Sequence, residues 1–107
     1  YSDTVRIMKN CNKNVGLLVD VAHLKVSAKT LNFDPKRYLI KLHKYIEAYH
    51  LSDNDGLSDQ NENISNKSWF WKYIKKDASF CTLELKNLDI SNVKKQLKLV
   101  RKKLKIV

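Results

Sequence analysis

Three short apolar runs in this chain each end in an ionisable residue: GLLVD at Asp20, IEAYH at His50 and FCTLE at Glu84. They recur at roughly the 30-residue spacing of a βαβ unit, which points to parallel α/β architecture. Parallel neighbours run in one direction, so residues at their carboxyl ends gather on one rim of the sheet. That rim is where βα folds carry their chemistry. Asp, His and Glu gathered there make a candidate metal site.

Length limits the architecture. A chain of 107 residues supplies one modest domain, whereas a closed barrel of eight βα units takes about 250 residues. The expectation is an α/β fold of three consecutive βα units with parallel strands, an incomplete TIM-type barrel, with 1–107 as a single domain. Starting at Tyr1 without a signal peptide or a membrane-spanning apolar stretch, the chain reads as the carboxyl-terminal part of a longer cytoplasmic protein. Cys11 and Cys81 are the only cysteines; they lack zinc-type CxxC spacing and are too few for a disulfide framework, in keeping with a reducing compartment.

Residues 1–13 read as the end of a helix plus a connection. Val15 to Val21 is an apolar run suited to a strand buried on both faces. Asp34-Pro35 starts a helix, with the acid as N-cap and proline in the first turn, and Tyr38, Leu39, Leu42, Tyr45 and Ile46 continue it as one apolar stripe. A second strand over Glu47 to Leu51 leads into the polar stretch SDNDGLSDQNENISNKS, a loop long enough to cover a site. SWFWKYIKK is expected to be a helix capped by Ser65 or Asn66, followed by a third strand from Phe80 to Leu85. The last helix begins at Asp89 or Ser91 and places Val93, Leu97, Val100 and Leu104 on one face.

DVAH at 20–23, YHLSDNDG at 49–56, Asp59 and TLELKN at 82–87 together resemble the last three βα units of the xylose-isomerase-like barrel superfamily. That superfamily includes sugar-phosphate isomerases and epimerases and the type IV apurinic endonucleases. The resemblance covers about residues 15–90. It implies one divalent cation (Mn, Mg, Co or Zn) bound by Asp20, His50 and Glu84, with a fourth carboxylate from a preceding strand outside this sequence. It further implies that Glu84 moves a proton, that His23 orients the substrate, and that Asp53 and Asn61 lie against the substrate.

The implied activity is isomerisation or epimerisation of a sugar or sugar phosphate through an enediolate. The alternatives are metal-assisted phosphodiester hydrolysis and a non-catalytic, barrel-derived binding module. In the endonucleases the residue matching His23 binds metal, and a DxH motif follows the second of these strands, where this chain reads Asp59-Gln60-Asn61. An amide is a poor substitute for imidazole at zinc. The isomerases' arginine a few residues past the histidine has no match near His50.

Each feature also has a plainer reading. A lone strand-end carboxylate such as Asp20 commonly caps a helix or turn. The ordered set of three argues for metal, because a charged Glu84 in an apolar strand needs a partner. His43, between Leu42 and Lys44, reads as a surface residue. Trp69, Phe70, Trp71 and Tyr73 could stack nucleobases, but their large apolar area fits helix packing better. The net charge is +10, and seven basic residues fall between Lys94 and Lys105 with no acid among them. They raise a second class of hypothesis, binding to nucleic acid or an anionic surface, but surrounding an apolar stripe on an outer helix they read first as a solvated face. The expected partners are therefore a small sugar or sugar phosphate and the rest of the barrel or a second copy. Neither nucleic acid nor a membrane is expected.

Overall fold

The computed structural model describes residues 1–105. Its elements in chain order are helix α1 (Ser2–Lys9), strand β1 (Leu17–Asp20), helices α2 (Val21–Leu31) and α3 (Pro35–Leu42), strand β2 (Ile46–Leu51), strand β3 (Phe80–Leu83) and helix α4 (Ile90–Leu104). The strands form one sheet in the order β1-β2-β3, and both pairings are parallel. This is the α/β layering expected from the three apolar runs. Among the described residues no helix is long and apolar enough to cross a membrane.

The central strand is the hydrophobic one. Ile46, Ala48, Tyr49 and Leu51 of β2 are buried, and Val19, Leu24, Leu39, Leu42, Phe70, Trp71 and Ile74 belong to the same core. The flanking strands are edges. Leu18 in β1 is 44% exposed and Phe80 in β3 is 53% exposed, so the expectation that Val15 to Val21 forms a strand buried on both faces does not hold. That strand covers only Leu17–Asp20. At its approach, Gly16 lies against the Glu47 side chain, and a Cβ there would come within 2.9 Å of Glu47 Cβ.

β1 stops at Asp20 because the aspartate begins a helix. Its Oδ1 accepts the backbone N–H of His23 at 2.9 Å, the N-cap bond that opens α2. This helix was not anticipated, and it closes at Asn32 in the left-handed region (φ 56°). Asp34 then caps α3 as expected, accepting from Lys36 N at 2.9 Å. The predicted stripe breaks after Leu42. His43–Tyr45 form a 3-10 turn, and Ile46 becomes the first residue of β2, where its β-branched side chain is fully buried beside β1.

The expected helix at SWFWKYIKK is instead a succession of turns. Only one helical turn closes, with Tyr73 N and Ile74 N both donating to Phe70 O. Phe70 and Trp71 are both buried, and Trp69 and Tyr73 pack against the same core. The segment is fastened by side chains instead: Trp71 Nε1 donates to Ser65 O at 2.7 Å, and Lys75 N donates to Tyr49 Oη at 2.8 Å. With Phe70 and Trp71 in the core, these two rings are not available to stack nucleobases.

β3 ends at Leu83 rather than Leu85, although Glu84 N continues the ladder to Leu51 O at 3.0 Å. In α4, Gln96, Val100 and Leu104 are buried while Leu97 is 41% exposed, so the packed face is rotated from the predicted one.

Tyr49 ties this account together. Its ring is fully buried in the central strand, burial pushes its phenol pKa above 10, and its hydroxyl holds the chain at Lys75. Tyr49→Phe leaves that N–H without its acceptor and should lower the urea-derived stability by about 1–2 kcal/mol. An unchanged stability would show that the turn segment is not fastened through Tyr49.

Candidate metal centre

Strand register brings the three ionisable residues together. Asp20 on β1 stands directly opposite His50 on β2, and His50 stands opposite Thr82 on β3. Glu84, two residues beyond Thr82, returns to the same face by the period-two alternation of an extended chain. One ligand atom from each of Asp20, His50 and Glu84 lies within 4.8 Å of the other two, and all three residues are half-buried. His50 Nδ1 is 2.9 Å from Glu84 Oε1 and 3.9 Å from Asp20 Oδ2. Glu84 sits just past the end of β3, not inside an apolar strand as expected.

Asp20 combines both roles its position suggested. Oδ1 caps α2, while Oδ2 faces the imidazoles of His50 and His23 at 3.9 Å each. The donor set fits a divalent cation. Ligand bonds of about 2.0–2.6 Å require donors to one ion to lie no more than about 5 Å apart, and these three satisfy that limit. Two half-buried carboxylates at that range repel each other, and a cation removes the cost. Two carboxylate oxygens with one imidazole nitrogen suit Mn, Co or Zn, and Mg less closely.

His23 joins the rim of this cluster. Its Nε2 pairs with Asp59 Oδ2 at 2.6 Å, so the long polar loop folds back over the carboxyl end of β1. The Asp59 bond raises the imidazole's pKa above 6.5, and the charges of Asp20, Asp59 and Glu84 add to that against a partial opposing effect of burial.

Asp53 and Asn61, the other residues implied by the resemblance, are engaged in the loop's own framework. Asp53 Oδ1 accepts from Lys25 Nζ at 3.1 Å and Asn54 N at 2.9 Å, and its Oδ2 accepts from Ser68 Oγ at 2.8 Å. Asn61 takes the left-handed conformation (φ 47°); its Oδ1 accepts from Ser52 Oγ at 3.4 Å, and its carbonyl accepts from Lys86 N at 2.9 Å.

Sequence reasoning missed the residues that shape this loop. Asn54 is buried; its amide donates to Ala22 O at 3.0 Å and its Oδ1 accepts from Gly56 N at 2.8 Å, which ties the loop to α2 beside His23. Lys25 bridges Asp53 and the Asn54 carbonyl. Gln96 of α4 holds Ile64 by both its backbone N–H and C=O, at 2.8 and 3.1 Å. The signal available was SDNDG itself, whose Asx residues favour bonding the backbone two positions on.

Compared with protein families, curated proteins and solved structures, the chain gives no match.

The His23–Asp59 pair is open to direct titration. In metal-free protein, an NMR titration should place the His23 midpoint above 6.5, and Asp59→Asn should lower it towards 6.5. Because the folded pKa is raised, the linked contribution to stability is complete below about pH 6.5 and is lost as pH rises through the raised midpoint. A wild-type midpoint at or below 6.5 would contradict the pairing.

Proposed function

We propose that this chain is part of a TIM-type barrel enzyme, incomplete as it stands, that isomerises or epimerises a sugar or sugar phosphate with one divalent cation held by Asp20, His50 and Glu84. The observation that carries the reading is the convergence of these three donors at the carboxyl ends of three adjacent parallel strands. The sequence resemblance at DVAH, YHLSDNDG and TLELKN supports the reaction class.

When bound, the cation supplies Lewis acidity to adjacent oxygens of a hydroxy-carbonyl compound and offsets negative charge as an enediolate develops. The remaining steps belong to side chains. Glu84 takes the proton from the carbon next to the carbonyl and returns it to the neighbouring carbon, as a carboxylate base and then acid. Its Oε1 lies 2.9 Å from His50 Nδ1, which keeps the base beside the cation site. His23, oriented by its Nε2 contact with Asp59 Oδ2, turns its other ring nitrogen to a substrate hydroxyl and fixes its orientation.

The His23–Asp59 pair also favours a second reading, because an imidazole and a carboxylate beside the triad are further metal donors suited to phosphodiester hydrolysis. Against it stands Asn61, an amide where that chemistry calls for imidazole.

The test is solvent exchange. In the complete protein supplied with Mn²⁺ or Co²⁺, a ketose or ketose phosphate in D₂O should gain deuterium at the carbon next to the carbonyl. Glu84→Gln should slow this exchange by about 10²–10⁴-fold. Cleavage of abasic-site DNA without any exchange would replace the isomerase reading with the second one.

A further inference from the structure

α4 carries its charge in a way its packing does not require. Lys94, Lys95, Lys98, Arg101 and Lys102 are all exposed, and among the described residues none of them forms an ion pair. At 3.6 residues per turn they occupy about 120° of the helix circumference along a stripe about 12 Å long. The opposite side is committed to the core through Gln96, Val100 and Leu104. Lys103 stands off this stripe, 6.0 Å above the Trp71 ring.

Helix stability alone would not produce this pattern. Lys94 and Lys98, and Lys98 and Lys102, are four residues apart, and Lys98 and Arg101 are three apart; like charges at these spacings destabilise a helix. The chain has 11 acidic residues, yet none lies in α4. Arg101 and Lys102 in the last turn complement the helix dipole, but Lys94, Lys95 and Lys98 do not, and an acid at one of these would relieve the repulsion and keep the helix soluble.

We propose that this outer face of α4 binds the phosphodiester backbone of duplex nucleic acid, without reading its sequence. A row of cations along one helix face suits a regular row of phosphates, each of which releases counterions on contact. An anionic membrane fits less well, because a helix that lies in a lipid interface inserts its apolar face, and Val100 and Leu104 of that face of α4 are packed inside. The stripe consists of residues other than the Asp20, His50 and Glu84 cluster, so the proposal stands apart from the isomerase reading.

The experiment is fluorescence anisotropy of a labelled DNA duplex of about 20 base pairs, in chelator so that the metal centre plays no part. Wild-type protein should bind with an affinity that falls steeply with salt. The triple variant Lys94→Gln, Lys98→Gln, Arg101→Gln should weaken binding at least about tenfold and flatten the log–log salt slope by about 2–3. Lys9→Gln, Lys13→Gln, Lys29→Gln, which removes the same charge elsewhere, should change affinity less than about threefold, and Lys94→Arg with Lys98→Arg should retain binding. Equal losses in the two glutamine triples would reduce the effect to net charge and overturn the proposal. Absence of wild-type binding would overturn it, as would tighter binding to phosphatidylserine vesicles than to DNA.

Discussion

Parallel pairing of β2 with a neighbour on each side is the constraint on which the rest depends. Because the strands run together, their carboxyl ends meet, and because Asp20 is opposite His50 the side chains at those ends share a face. A slip of one residue would send one of them to the other side of the sheet. The buried side chains of β2 resist that slip, since they pack with Leu39, Leu42, Phe70 and Trp71 in a single core. The geometry of the candidate centre is thus inherited from hydrophobic packing a few residues away.

Asp20 links that packing to the chemistry. As the last residue of β1 and the N-cap of α2 it is held by the backbone on both sides, which leaves its second oxygen aimed at His50 and His23. The loop after β2 provides the other wall. Asn54, Lys25, Asp53 and Ser68 bind one another and α2, Gln96 clamps the loop to α4, and Asp59 then reaches His23. A long polar segment of this kind has no core of its own; paired amides and carboxylates give it a defined shape over the rim.

Much of this was legible in the sequence, and the failures have physical causes. Apolar runs that each end in an ionisable residue revealed the parallel sheet and the metal-type triad, and Asp34-Pro35 revealed α3. Helix α2 was hidden because Asp20 and Val21 look like a continuing strand until the aspartate is recognised as a cap. The run at Trp69, Phe70 and Trp71 has the composition of a packed helix, but its shape is set by bonds to distant or flanking positions, Trp71 to Ser65 and Lys75 to Tyr49, which composition does not disclose. The loop's hydrogen bonds span distant positions, such as Ala22 with Asn54 and Ile64 with Gln96, and no local pattern discloses them.

The central claim is that Asp20, His50 and Glu84 act together as one cation site, and metal titration tests it most directly. Isothermal titration with Mn²⁺ should give one ion per chain, and at about 100 times the Kd the ion should raise unfolding stability by about 2.7 kcal/mol. His50→Ala should remove both effects while leaving the fold intact. Failure of the wild-type protein to bind Mn²⁺, Co²⁺ or Zn²⁺, or binding that survives His50→Ala unchanged, would contradict the account.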